Sequence, residues 1–211
     1  MQIPYSYIAI EGNIGAGKTT LANLLKKKIG ARLLEETFEE NPFLPLFYAD
    51  PERYALQVEL SFLAARYHQM KHTLIPLDAF NTLTIADYSL VKSRLFARQN
   101  LTDDDFKLYL SIYEIVENTL PKPELILYLH ETTPQLLKNI AQRGRSYEAE
   151  IKADYLNKLE LAYIDYIKKE TAMPVLLFTV TNIDFLTNPE NVSLIINAIS
   201  KPQPKGLQII D

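Results

Sequence analysis

The 211-residue chain has no cysteine and no tryptophan, and only six of its residues are glycine. Without cysteine there is no disulfide and no thiolate zinc site. The three histidines are scattered at 68, 72 and 130 and make no metal-ligand cluster. No apolar run is long enough to cross a bilayer. Nor is there an excess of one charge: 22 Lys and Arg against 26 Asp and Glu leave a net −4. That balance does not point to a nucleic acid polymer or an anionic membrane as partner, so any cations that matter must gather in one place. Met1-Gln2-Ile3-Pro4 runs straight into the first apolar stretch with no signal-peptide pattern, and a cytoplasmic location is expected. What the chain does have is a 47% share of hydrophobic residues, enough for a sizeable core.

Half of the scarce glycines stand together, in Gly12-Asn13-Ile14-Gly15-Ala16-Gly17-Lys18-Thr19. Tyr7–Ile10 before them reads as a strand, and Leu21, Leu24 and Leu25 after them recur at helical spacing. Strand, glycine-rich turn and helix is the setting that makes G-x-x-x-x-G-K-[ST] a phosphate cradle. Successive backbone N–H groups converge on the anion, and the helix start adds its partial positive charge. Lys18 is placed to reach the β- and γ-phosphates and the Thr19 hydroxyl to ligate Mg²⁺. The motif predicts a nucleoside triphosphate site, with magnesium carried by the nucleotide.

Apolar runs at Tyr5–Ile10, Ala31–Leu34, Leu83–Ala86, Leu125–Leu129 and Val175–Val180 alternate with helical patterns. They are nearly continuous rather than alternating, which predicts an α/β domain whose parallel sheet of five strands is covered on both faces. The domain is expected to end near residue 200, with 201–211 a loose tail opened by Lys201-Pro202-Gln203-Pro204. Helices are expected over 17–29, over 50–72, 90–97, 103–120 and 148–169, with a short one after Asn41. On the long one, Leu56, Leu60, Leu63 and Tyr67 form the apolar face, while Glu59 and Arg66 lie beside it, as rim residues or as the lining of a pocket.

Several polar groups fall where these strands end, the edge at which open α/β sheets bind ligands. Glu35 and Glu36 are expected to end the second strand, either as a solvated acidic turn or as one inward carboxylate, since neighbours on a strand face opposite ways. Asp87 closes the third. Arg143-Gly144-Arg145 forms the densest cationic spot outside the phosphate loop and its helix, a pair exposed in a loop or a segment that closes on phosphates. The 181–185 loop, with Asp184 and Phe185, is a candidate adenine contact.

Taken together these stretches resemble the deoxynucleoside kinases of the phosphate-loop type, including the deoxycytidine, deoxyguanosine and deoxyadenosine kinases. The likeness runs from Ile8 to about Phe185 through Gly12–Thr19, Glu36, Asn41-Pro42-Phe43-Leu44 and Phe47-Tyr48-Ala49-Asp50-Pro51-Glu52-Arg53-Tyr54. It continues through Arg66, Asp87, Leu95-Phe96-Ala97, Arg143-Gly144-Arg145 with Glu148, and Asp154-Tyr155-Leu156. The resemblance implies a three-layer kinase fold, a homodimer, and transfer of the γ-phosphoryl of ATP to the 5′-hydroxyl of a deoxyribonucleoside. By position it implies Glu36 as general base and Tyr48 with Glu148 at the sugar 3′-hydroxyl. Arg143 and Arg145 become the lid cations, Phe96 packs on the base, and nucleotide contacts extend from Gly12 to Thr20. Glu59 stands where the family has a base-reading glutamine, supported by Arg66 on the same helix or merely paired with it. The carboxylate favours an edge with two adjacent donors, as guanine has, so purines are expected, deoxyguanosine before deoxyadenosine.

Two departures matter. Thr37 replaces a proline after the base. Asp87-Tyr88-Ser89 lacks the arginine that usually follows the acid, which removes a cation that Arg94 or Arg98 would have to supply. The alternatives are a thymidylate-type nucleoside monophosphate kinase and a regulatory protein that keeps a nucleotide site. A GTP switch is disfavoured because Asn-Lys-x-Asp is absent.

Overall fold

A computed structural model describes residues 3–37, 41–75, 83–181 and 189–210. In chain order the elements are β1 (Tyr7–Gly12), α1 (Lys18–Ile29), β2 (Arg32–Leu34), α2 (Leu44–Ala49), α3 (Pro51–Leu74), β3 (Thr84–Ala86) and α4 (Leu90–Asn100). They continue with α5 (Asp103–Glu117), β4 (Leu125–His130), α6 (Thr133–Arg143), a 3₁₀ turn at Ser146–Glu148, α7 (Ala153–Lys169), β5 (Pro174–Thr179), α8 (Pro189–Ile199) and β6 (Gly206–Ile210).

The strands form one parallel sheet in the order β2-β3-β1-β4-β5-β6. Every residue of β1 is buried, and β4 and β5 are buried except at their last residue, which is why their sequences run apolar without alternation. On one face Ile8, Ile10, Leu127, Leu129 and Phe178 pack with Leu21 and Leu25 of α1 and Ile195 of α8. On the other, Tyr7 and Ala9 meet Leu63 and Met70 of α3 and Tyr109 and Tyr113 of α5, while Tyr128 and Val175 meet Tyr163 and Ile167 of α7.

The sheet has six strands, not five. The sixth comes from the segment expected to be a loose tail, where Gly206–Ile210 pairs with Pro174–Phe178 along its whole length. Leu207 and Ile210 pack on the core. A five-residue edge strand following two prolines offers too short an apolar run to stand out in sequence.

Two more expectations need correcting. The second strand ends at Leu34, so Glu35 and Glu36 stand on the turn after it. The buried stripe of α3 is Ala55, Val58, Glu59, Leu63, Arg66, Met70 and Leu74, whereas Leu56, Leu60 and Tyr67 are only partly covered. The two charged residues therefore lie within the buried face, with Glu59 and Arg66 each 3% exposed. A burial of that kind is costly unless the charges are partnered, which marks this stretch of α3 as a site rather than as packing.

Candidate active site

The loop between β1 and α1 is shaped by its glycines. Gly12 has φ +148°, and a β-carbon there would come within 2.6 Å of the Leu129 carbonyl. Gly15 has φ +83°, with the Leu136 carbonyl 2.9 Å from the same point. Neither place admits a side chain, so the backbone lies directly on β4 and α6. Asn13 pins the turn, donating from Nδ2 to the Leu156 carbonyl at 2.8 Å and accepting from the Ile14 N–H at 2.9 Å. Lys18 Nζ donates to the carbonyls of Gly12 and Asn13, both at 2.8 Å. Desolvation in this cradle and the charge of Lys92 draw its pKa down to about 8.

Across from the loop, the Thr19 hydroxyl donates to Asp87 Oδ2 at 2.6 Å, and the other oxygen of Asp87 accepts the Glu36 N–H at 2.9 Å. A hydroxyl and a carboxylate side by side next to a phosphate cradle are the hard oxygen donors that Mg²⁺ prefers, so this corner fits the ion. Glu35 is exposed to solvent, whereas Glu36 lines the cavity.

Glu36 is the electrostatic centre. Arg66 donates to its Oε1 from Nε at 2.8 Å and from Nη2 at 2.6 Å, and Lys92 Nζ pairs with its Oε2. Burial alone would raise the carboxyl pKa, but the two cations bring it to about 2. Arg66 also donates to Ser93 Oγ at 2.6 Å and lies over the Phe62 ring, so it does not pair with Glu59.

The partner of Glu59 is Asn100, whose Nδ2 reaches Oε1 at 2.6 Å. Oε2 is buried without a hydrogen-bond partner. Burial raises this carboxyl to about 7 against the opposing pull of Asn100, Arg66 and Lys92. The two glutamates thus diverge strongly within one cavity.

At the cavity's other side Glu148 is buried under the segment after α6. Arg143 donates to its Oε2 from Nε at 3.1 Å and Nη2 at 2.5 Å, and Arg145 to its Oε1 at 3.4 Å. Tyr48 stacks on Tyr147, ring centroids 5.8 Å apart. Burial, and then the Glu148 charge, raise the Tyr48 hydroxyl pKa well above its usual value.

A cavity of about 130 Å³ joins these groups. Of the residues expected from sequence it brings together Ile14, Gly15, Lys18, Thr19, Glu36, Tyr48, Glu59, Arg66, Asp87, Phe96, Arg143, Arg145 and Glu148. Gly12, Asn13, Ala16, Gly17 and Thr20 form the loop's frame behind it, and Asp184 and Phe185 lie outside the described residues. Sequence reasoning missed Asn100, Phe62 and Tyr155, which also line it. Asn100 is the last residue of α4, and nothing but a buried acid on another helix could have pointed to it.

The expected substitutes for the missing arginine are elsewhere. Arg98 pairs with Asp103 at the surface, and Arg94 lies between the rings of Tyr113 and Tyr166. The cation beside Glu36 is Lys92, one helical turn beyond Ser89. Tyr88 turns the other way: its hydroxyl donates to Gln69 Oε1 at 2.9 Å, and Gln69 Nε2 holds Thr37 Oγ1 at 2.7 Å and the Glu35 carbonyl at 3.3 Å. Tyr88 and Thr37, the two departures, are thus parts of one hydrogen-bonded support for the turn that carries Glu36.

The deoxynucleoside kinase family model matches residues 8–202. The chain belongs to that family. It is 39% identical over 163 residues to a deoxyguanosine kinase of Bacillus subtilis, covering 77% of this chain and 79% of the relative. To a deoxyadenosine/deoxycytidine kinase of the same organism it is 29% identical, over 92% of each chain. Among solved structures, deoxyadenosine kinase from M. mycoides with dCMP and a flexible dCDP bound superimposes with a TM-score of 0.77 at 26% identity, covering 92% of this chain and 98% of that one. A deoxynucleoside kinase is an ATP-dependent phosphotransferase, and the α/β fold with its parallel sheet is the one this family shares.

Proposed function

We propose that this deoxynucleoside kinase acts on purine deoxyribonucleosides, deoxyguanosine ahead of deoxyadenosine, using ATP with Mg²⁺. The observation that carries the preference is the bare, buried Oε2 of Glu59 at the base end of the cavity. Such an acceptor beside Oε1 calls for a ligand with two adjacent donors, which guanine offers at N1–H and N2–H₂. Leaving it unmatched by adenine or cytosine costs about 1–3 kcal/mol, or more when the group is charged.

The reaction needs positioning and charge neutralisation more than covalent help. Glu36 takes the 5′-hydroxyl proton as that oxygen attacks the γ-phosphorus. Lys18, Arg143 and Arg145 balance the charge on the transferring group, and Tyr48 with Glu148 hold the 3′-hydroxyl. Thr19 would hold the magnesium, with Asp87 orienting its hydroxyl. The ion would draw the phosphates together and offset their charge.

A homodimer is part of the reading. Leu108, Ile112 and Ile115 are exposed on one face of α5, at spacings of four and three. Exposed apolar rows of this kind favour a partner surface. No described helix is long and apolar enough to cross a membrane, and the enzyme is proposed to work in the cytoplasm.

Incubation with ATP, Mg²⁺ and each deoxynucleoside, followed by separation of the 5′-monophosphates, tests the proposal. The highest kcat/KM is expected for deoxyguanosine, then deoxyadenosine. A pyrimidine in first place would overturn the base assignment, and no product at all would overturn the activity.

A further inference from the structure

One carboxylate, Glu36, is held by two cations that differ in how firmly they are fixed. Arg66 is anchored at three points: two nitrogens on Glu36, Nη1 on Ser93 Oγ, and its plane 5.0 Å from the Phe62 ring centroid. Lys92 has one hydrogen-bonded anchor, on Glu36, and lies over the face of Phe96, 5.5 Å away, within electrostatic reach of Glu11 and Glu59. A lysine head is a compact charge on a four-carbon stem with three rotatable donors, whereas a guanidinium fork is set in place by its partners. If either cation can move, it is Lys92.

The chemistry asks that one of them move. A base flanked by two cations is a weak proton acceptor, and both Arg66 and Lys92 pair with Glu36. Lys92 and Lys18 line the same cavity, two like charges facing one space. Two like charges on opposite sides of a phosphate site are relieved when the phosphates arrive. Around Glu36 the other facing groups are Asp87 through its contact with the Glu36 N–H, Tyr88, Glu59 and the cation Lys18, whose head donates to the loop carbonyls of Gly12 and Asn13 rather than to Glu36.

Resting on the kinase reading above, we infer that Lys92 is a transferable cation. It neutralises Glu36 while the site lacks a donor, and it passes to the terminal phosphate oxygens of the nucleoside triphosphate when that binds, freeing the carboxylate for the 5′-hydroxyl proton. The transfer breaks one ion pair and forms another, with no covalent change. In the step that follows, the 5′-oxygen–phosphorus bond forms as the bond from phosphorus to the β,γ-bridging oxygen breaks. The hydroxyl proton goes to Glu36 and the electron pair leaves with ADP. The cation that Tyr88 does not provide is thus furnished from the next turn of the same helix, and the site gains a coupling between donor binding and readiness of the base.

Titration calorimetry with the magnesium complexes of β,γ-methylene-ATP and of ADP tests this. Lys92→Met is expected to weaken the triphosphate analogue about tenfold or more, the scale of one charge-assisted hydrogen bond, while ADP binding changes by less than about twofold. Glu36→Gln removes the competing carboxylate and should tighten the analogue, by a larger factor when Lys92 is present than in the Lys92→Met background. Lys92→Arg should restore part of the kcat lost in Lys92→Met, with the deoxynucleoside KM unmoved in both. Equal weakening of both nucleotides by Lys92→Met, or the same effect of Glu36→Gln in both backgrounds, would overturn the inference. These are binding measurements, so they remain readable if no deoxynucleoside is phosphorylated, and their failure would leave the kinase activity standing.

Discussion

Glu36 and Glu59 share a cavity and a chemical type, yet their surroundings drive them apart. Glu36 lies between Lys92 and Arg66 and stays ionised down to about pH 2. Glu59 has one amide for a partner and titrates near 7. Glu36→Gln should lower kcat by about 10²–10⁴-fold, the usual scale of general-base loss, with deoxynucleoside affinity retained in direct titration. The raised pKa of Glu59 has two consequences with definite signs. The folded protein keeps a proton on Glu59 from its ordinary 4.5 up to about 7, where the unfolded chain has lost it. Stability therefore falls as pH rises through that window, by on the order of 3 kcal/mol at most, and Glu59→Gln should flatten the slope in urea titrations at pH 5 and 8. Deprotonation also turns Glu59 from a donor–acceptor pair into two acceptors. The ratio of kcat/KM for deoxyguanosine over deoxyadenosine should thus climb between pH 6 and 8.5 in the wild type and stay level in Glu59→Gln. Because both substrates share every other titrating group, the ratio isolates this one. At the sugar end, Tyr48→Phe should weaken 2′-deoxynucleosides several-fold more than 2′,3′-dideoxy analogues, since it removes one hydroxyl partner of about 0.5–1.5 kcal/mol.

At the scale of elements, α3 and β6 show where a sequence speaks plainly and where it does not. Strands β1, β4 and β5, the loop and α1 were legible because continuous apolar runs and fixed glycine spacing each have one physical reading. Glu36, Asp87, Arg143 and Arg145 were legible as candidates because topology brings strand and helix ends to one edge, whereas Glu148 came only from the family resemblance. The face of α3 was misread, since a pocket lined by Glu59 and Arg66 is counted as polar by any periodicity, although it is as enclosed as core. Lys92 and Asn100 were hidden for a different reason: their partners are Glu36 and Glu59, on other elements far off in sequence. β6 escaped because five residues carry no period. Removal of residues 205–211 should expose the edge of β5 and the apolar cover given by Leu207 and Ile210. With burial of a large apolar side chain contributing about 1.5–3 kcal/mol, a loss of a few kcal/mol in urea unfolding is expected, with kcat at low temperature largely kept.

Across the whole molecule, the exposed row on α5 should decide the assembly. Ile115 is 70% exposed, and Ile115→Glu is expected to convert a dimer into a monomer in light scattering while leaving the melting of the single chain within a few degrees. The order of the strands has a consequence for how the chain comes to be folded at all. β1 precedes the other described strands in the chain and lies third from one edge, yet Tyr7–Ala9 must wait for Thr84–Ala86 on one side and Ile8–Gly12 for Leu125–Leu129 on the other. Until then a largely apolar strand, with Glu11 its one charged residue, has two open edges and no neighbour, and the loop closures that rescue it are long. Assembly has to wait for the later strands to be made, so the growing chain passes through a half-built sheet, open to pairing with another such chain. Refolding from denaturant should accordingly be slow, and its yield should fall as protein concentration rises.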